Sequence, residues 1–333
     1  MRSIIGKVLL ALGAVALLIQ FGTHSLCLAA EVAKTDQKTD PVAELPATGL
    51  LPNALLSLNA EDNPHLFSRY ALLVDKARRT LTVWENDGEK IHFVAAFPAD
   101  MGAQAGDKVA EGDQKTPEGI YFFQTTLEGR KVDFSKYGAR IFTMDYPNYF
   151  DRLEKKNGHG IWLHAVPDTV SLQRGSRGCV VVRNSVIEQL AKYIELQHTP
   201  IVVVDTVDYL PEKDWFSLRQ TTLNWLESWR KAWAAKDIDN YMALYADVFR
   251  SNHMNKAQWR RYKEGLNARY KFIEVSLRNV QAFAQGTKVV FRFLQDYASD
   301  QKKDLGAKII YAMKNAGGAY EIVGENWLPV TNR

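Results

Sequence analysis

The sequence predicts a mainly β domain followed by an α+β cone, and three observations carry that expectation. From Tyr70 onward, short β-prone runs alternate with charged or glycine-containing turns. From Leu223 the composition changes to aromatic residues at helical spacing, then to a second set of strand-like runs. Between the two lies Tyr209–Asp214, with Pro211 inside it, which reads as a linker.

In the first domain, Tyr70–Asp75 and Thr80–Glu85 are strand runs separated by the turn Lys76–Arg79. Asn86-Asp87-Gly88 is a second turn, and Lys90–Phe97 a third strand, giving an antiparallel meander. Gly119–Gln124 and Arg140–Met144 add strands. Gly160–Leu163 and Val180–Val182 form two more, and Ser185–Leu196 reads as a helix with Val186, Ile187, Leu190 and Ile194 on one face. Ile201–Val204 is wholly apolar and closes the domain. In the second domain, Leu223–Ala235 carries Trp225, Trp229 and Trp233 at helical spacing. Ile238–Phe249 and Met254–Tyr270 read as further helices. Strand runs follow at Phe272–Val280, Thr287–Tyr297, Lys308–Lys314 and Tyr320–Trp327. The tryptophans read as core rather than as a ligand cage, and Asp237 and Asp239 as helix-start residues.

The chain has 333 residues, enough for two domains with filled cores. Its 42 basic and 38 acidic side chains leave a net charge of +4, too mild for a nucleic-acid binder, and 46% apolar residues exclude a disordered chain. Residues 1–30 read as a signal peptide: Arg2 and Lys7 precede the apolar run Val8–Phe21, and Ala29-Ala30 offers a cleavage site. An uncut anchor is the alternative, but the run is short for a full span, so no stable membrane span is expected in the mature form. His24, Ser25 and Leu26 do not make a lipidation box for Cys27. The expected layout is signal peptide 1–30, flexible spacer and lead-in 31–65 (with Leu51–Phe67 read as a short helical stretch), first domain 66–208, linker 209–221 and second domain 222–333. The expected compartment is the periplasm.

Cleavage leaves Cys179 alone. Exported cysteines usually end in disulfides, and an unpaired thiol in an oxidising compartment is a liability unless chemistry uses it. His164 ends one strand run, and fifteen residues later Cys179 begins another, behind Ser176-Arg177-Gly178. An imidazole next to a thiol can take its proton, and Gly178 lets the backbone turn its N–H groups toward a developing oxyanion. The alternative is a strand-capping histidine and a core cysteine. Tyr146 precedes the catalytic strand and could line the cleft or simply pack. His159, His164 and Cys179 could mimic a metal site, but no fourth ligand has suitable spacing, so neither metal nor cofactor is expected.

His164 followed by Ser176-Arg177-Gly178-Cys179 resembles the signature of the L,D-transpeptidase catalytic (YkuD) domain: a histidine, a gap of about fifteen, then Ser/Thr-His-Gly-Cys. Gly106-Asp107-Lys108, Glu111-Gly112-Asp113 and Thr116-Pro117-Glu118-Gly119-Ile120-Tyr121 resemble the family's second conserved run, which also reads simply as turn chemistry at the entry to a core strand. Two departures stand out: Arg177 replaces the usual histidine, and Ala165 a frequent glycine. An arginine there is similar to a subgroup with a second, C-terminal domain, which includes L,D-carboxypeptidases of curved and helical bacteria. The second domain, through Trp225, Trp229, Ala232-Trp233, Asp237, Tyr241–Tyr245, Phe249, Trp259 and Phe293–Ser299, resembles an NTF2-like cone.

The resemblance implies a YkuD-like β-sandwich with a short helix and a peptidoglycan substrate. It implies attack by the Cys179 thiolate on the carbonyl between meso-diaminopimelate and the terminal D-alanine of a stem tetrapeptide. His164 is then the base, the Ala165 carbonyl its orienter, and the N–H groups of Gly178 and Cys179 the oxyanion donors. Arg177, Ser176 and Tyr146 are the candidate substrate contacts. An amine acceptor makes the enzyme a transpeptidase, and water makes it an L,D-carboxypeptidase. The rival of another class is a non-catalytic peptidoglycan-binding protein. Carbapenem-type inhibitors are expected to acylate the thiol.

Overall fold

The computed structural model describes residues 42, 43, 45–58, 66–86, 88, 90–128, 133–173 and 175–330. The signal-peptide reading of 1–30 with Cys27, most of the spacer 31–65, and Asp87 of the second turn lie outside the described residues.

Two short strands open the described chain, β1 (Leu50–Pro52) and β2 (Leu55–Ser57). They replace the helix expected over Leu51–Phe67. The apolar side chains there are drawn into two different sheets: β1 pairs with β11 (Tyr209–Pro211), and β2 with β14 (Ile273–Gln285) of the second domain. Trp215 locks this strap, its indole N–H donating to the carbonyls of Pro52 (3.2 Å) and Leu55 (3.1 Å).

The first domain is built on one eight-stranded sheet. It contains β3 (Tyr70–Asp75), β4 (Thr80–Asn86), β5 (Ile91–Pro98), β6 (Gly119–Glu128), β7 (Arg140–Met144), β8 (Trp162–Val166), β9 (Val180–Arg183) and β10 (Pro200–Val204), in the order β5-β4-β3-β10-β6-β7-β8-β9. Three short helices decorate it: α1 (Phe134–Tyr137), α2 (Tyr149–Leu153) and α3 (Asn184–Leu190). The helix expected over Ser185–Leu196 is thus shorter, because turns after Leu190 lead the chain into β10.

The central strands are apolar on both faces, which is why Ile201–Val204 reads as a continuous run. Leu72, Val74, Tyr121, Phe123, Ile201 and Val203 point into the first domain's own core. Their neighbours Ala71, Leu73, Ile120 and Val202 point the other way, onto Trp215, Phe283, Val290 and Val323. Each large apolar side chain buried in that second layer contributes about 1.5–3 kcal/mol relative to exposure, so the domains meet as a core.

The second domain contains α4 (Glu212–Ala234), α5 (Ile238–Ala243), β12 (Tyr245–Ser251), β13 (Met254–Asn255), α6 (Lys256–Arg269), β14, β15 (Lys288–Ser299), β16 (Lys303–Lys314) and β17 (Tyr320–Pro329). Its sheet, β13-β12-β17-β16-β15-β14-β2, curls around an aromatic core containing Trp229, Trp233, Tyr241, Phe291 and Phe293, as the core reading of the tryptophans requires. Two expectations are corrected here. The expected linker 209–221 is β11 plus the first turns of α4, with Pro211 as the cap, because Trp215 is needed as an anchor. The helix expected over Ile238–Phe249 stops at Ala243. Tyr241, Tyr245 and Phe249 keep a helical spacing, but the last two reach the core from a strand that runs parallel to β17. Asp237 does cap α5, accepting from the Asn240 N–H.

Candidate active site

Strands β8 and β9 are parallel neighbours, with Leu163 opposite Val180 and His164 opposite Val181. This register places Cys179 beside Trp162, one step before β9. The two-residue repeat of a strand then sorts the side chains. Leu163, Ala165, Val180 and Val182 enter the core, while Trp162, His164, Val166, Cys179 and Val181 line one cleft of about 830 Å³. His164 and Cys179, fifteen apart in sequence, share that cleft because a crossover loop joins adjacent parallel strands.

Residues 170–173 and 175–177, from the connection between β8 and β9, also line the cleft, and the first part of that connection is tied down. The Arg183 guanidinium donates to the carbonyls of Pro167, Asp168 and Val170. Arg79 donates to the Asp100 carboxylate (3.0 Å) and the Leu172 carbonyl (2.9 Å). Asp100 in turn exchanges two 2.7 Å backbone hydrogen bonds with Val181. The strand that follows Cys179 is therefore held from outside the β8–β9 pair as well.

Cys179 is buried at 8% exposure and has no disulfide partner among the described residues. Its Sγ lies 3.7 Å from the Gly160 carbonyl. Burial pushes the thiol up to about 11, with the Trp162 backbone N–H and the Lys108 ammonium pulling the other way. Burial also lowers the His164 pKa, against a smaller opposing effect of its bond to Ala165. Nδ1 of His164 lies 2.9 Å from the Ala165 carbonyl oxygen. A carbonyl only accepts, so Nδ1 carries the proton and Nε2 of the neutral ring is left with a free lone pair. Burial thus favours the neutral thiol and the neutral imidazole. Iodoacetamide alkylation of the free protein should accordingly rise about tenfold per pH unit from neutrality to about pH 10, following the thiolate fraction. A plateau near neutral pH would show a preformed ion pair instead.

The other expected site residues divide. Arg177 is exposed on the cleft wall and forms no ion pair among the described residues. Ser176 also lines the cleft, but its hydroxyl is spent on the turn: it donates to the Cys179 carbonyl (2.8 Å) and accepts from the Gly178 N–H (3.2 Å). The Gly178 N–H is therefore a turn-forming donor, which corrects its expected place in an oxyanion pair. Tyr146 is not in the cleft at all. It packs in the core against Tyr121, and its hydroxyl donates to the Asn157 carbonyl (2.9 Å). His159 sits on the cleft rim at 82% side-chain exposure. Among the described residues no group of three or more His, Cys, Asp or Glu is arranged to hold a metal.

Sequence reasoning missed Trp162, Tyr137 and Lys108. Counting by two from His164 would have found Trp162. Tyr137 comes from α1, whose ring edge meets the His164 imidazole at 5.2 Å, a tertiary contact with no sequence signal. Lys108 lies within the glycine-rich run already singled out, buried and paired with Asp113 at 2.7 Å. That run builds the opposite wall. The Thr116 hydroxyl accepts from the Gly102 N–H (2.9 Å), and the Lys76 ammonium reaches the carbonyls of Gly106 and Thr116 and the Glu118 carboxylate.

A parallel strand pair thus presents a histidine and a cysteine to one cleft, and a second domain with a curled sheet around an aromatic core follows it in the chain. The L,D-transpeptidase catalytic domain (YkuD) family profile matches residues 69–203, and that of the Cds6 C-terminal NTF2-like domain matches residues 221–326. The structure of Bd1075 from Bdellovibrio bacteriovorus is 44% identical, covering 85% of this chain and 100% of that one, with a TM-score of 0.79. The chain belongs to the YkuD L,D-transpeptidase family, in the group that carries a C-terminal NTF2-like domain. The helical cell shape determining protein Pgp2 of Campylobacter jejuni is 25% identical over 81% of this chain and 94% of its own, with a TM-score of 0.62. YafK of Escherichia coli strain K12 is 28% identical over 120 residues, and the match spans 44% of that protein's length. Among the described residues no helix is long and apolar enough to cross a membrane.

Proposed function

We propose that this chain is a peptidoglycan L,D-transpeptidase that uses Cys179 as nucleophile and His164 as base in the cell envelope, on the periplasmic side. The observation that carries this reading is the shared cleft of His164 and Cys179, with Nδ1 of the imidazole committed to the Ala165 carbonyl. Nε2 would take the thiol proton as Sγ attacks the carbonyl between meso-diaminopimelate and D-alanine, then deliver it to the leaving amine. D-Alanine departs, and a thioester to Cys179 remains. The Cys179 N–H would hold the oxyanion. An amine acceptor then releases a cross-linked or exchanged stem.

Hydrolysis, which would make the enzyme an L,D-carboxypeptidase, is the second reading. The arginine at 177 favours it, since the family's usual histidine is absent there. The likeness to a cell-shape protein supports a role in remodelling the wall of a shaped cell. Incubation with purified tetrapeptide muropeptides, with and without an added D-amino acid, tests both. An exchanged stem supports transfer, tripeptide alone supports hydrolysis, and recovery of unchanged tetrapeptide overturns both.

Arg177 has no carboxylate partner among the described residues, and we assign it to a substrate carboxylate. Arg177→Lys keeps the charge and loses the two-pronged fork. It should lower kcat/KM by about 1–3 kcal/mol, roughly 5- to 150-fold. If Arg177→Ala stays within about twofold of wild type, the assignment is wrong.

A further inference from the structure

We propose that the cone supports the active site directly: Lys288, on β15, acts through Glu154, Lys156 and Asp107 as a positioning residue for the cleft wall that carries Gly160. All the residues lining the cleft lie between Asp100 and Val181, so the cone contributes none of them. It reaches the wall through α2 and the segment after it.

Helix α2 is docked on the cone. Tyr149 stacks on Tyr311 with ring centroids 4.5 Å apart, and its hydroxyl donates to the Val323 carbonyl at 2.5 Å. The approach is so close that a Cβ on Gly324 would lie 2.4 Å from the Tyr149 ring. At the end of α2 a chain of charges begins. The Lys288 ammonium meets one Glu154 oxygen at 2.5 Å, and the other Glu154 oxygen meets Lys156 at 3.0 Å. Lys156, buried, meets Asp107 at 2.5 Å and Asp151 at 3.5 Å. The second Asp107 oxygen accepts from the Glu118 N–H at 2.8 Å.

The segments at the far end of this chain are stitched into one wall. The Asn157 N–H donates to the Val109 carbonyl (3.1 Å), and the Glu111 N–H to the Asn157 side-chain oxygen (2.7 Å). Gly158 lies against Lys108 and Glu111. Lys108, Glu111, Gly158 and Gly160 all line the cleft, and the Gly160 carbonyl faces the Cys179 sulfur.

Charge balance makes Lys288 matter. With it, two ammonium groups serve three carboxylates. Without it, Lys156 alone faces Glu154, Asp107 and Asp151, with Lys156 and Asp151 buried and the other two half-buried. Glu154 then competes with Asp107 for Lys156, and the 107–118 loop loses its tether.

The test is amide hydrogen exchange on the full chain, comparing wild type with Lys288→Met, Lys288→Arg and Glu154→Gln. Lys288→Met should speed exchange of segments 107–118 and 155–160 by about tenfold, leaving β3 and β10 unchanged, whereas Glu154→Gln, which removes the competing carboxylate, should leave 107–118 near wild type. Lys288→Arg should match wild type. With tetrapeptide stems, a kinetic readout that rests on the acyl-transfer reading, Lys288→Met should raise KM about five- to tenfold, with kcat within about twofold. Unchanged exchange in both segments of Lys288→Met overturns the proposal, as does a uniform rise across both domains. If wild type releases no D-alanine, the acyl-transfer reading falls and the exchange data still decide the role of Lys288.

Discussion

Cys179→Ala is expected to abolish D-alanine release, by a factor on the order of 10⁴ or more, while the protein stays folded. The stability cost should be small. Cys179 packs with Leu172 and Val181 at the edge of the cleft, away from the main core, and replacing a thiol by hydrogen there costs about 1 kcal/mol. The activity loss is large because a nucleophile has no substitute: Ser176, the nearest hydroxyl in sequence, is committed to the turn. Intact-mass measurement with a carbapenem adds a second readout, with one adduct on the wild type and none on Cys179→Ala. Turnover near the wild-type level, or an adduct on the variant, would remove Cys179 from the reaction.

Gly178→Ala should be nearly as damaging, for a conformational reason. Gly178 has φ near +125°, a region closed to residues with a side chain, and a Cβ there would lie 2.5 Å from the Lys115 carbonyl oxygen. That oxygen cannot easily yield. The Lys115 N–H is held by Asp113 (3.1 Å), and the next residue, Thr116, anchors Gly102. The substitution should therefore shift the Ser176–Cys179 turn. We expect a stability loss of about 2–4 kcal/mol, a fall in Tm of about 5–10 °C. Because the displaced group is the nucleophile, kcat should fall about 100-fold. An alanine variant with wild-type Tm and turnover would show that the turn tolerates a side chain.

Much of the fold was legible because local pattern and burial agree. Tyr70–Asp75 and Arg140–Met144 carry β-branched or aromatic residues between turns, and both are strands within those bounds. Tyr245–Ser251 reads as helix because aromatics four apart share a helix face, and, four being even, Tyr245 and Phe249 share the buried face of a strand as well. The strap Leu50–Ser57 was misread because each of its short strands has a partner more than 150 residues away.

The candidate nucleophile and base were readable along the chain: a cysteine, a histidine fifteen residues before it, and a glycine placed where the chain must turn. Those are local facts, set by residue type and spacing. Only the tertiary structure decided the surroundings. It spent the Ser176 hydroxyl and the Gly178 N–H on the turn, buried Tyr146, brought Tyr137 onto the imidazole, and joined Lys288 of the cone to Asp107 of the cleft wall. Each of those outcomes depends on which distant segment competes for a polar atom or an apolar face, and long-range packing, with no periodic trace in the chain, settles that competition.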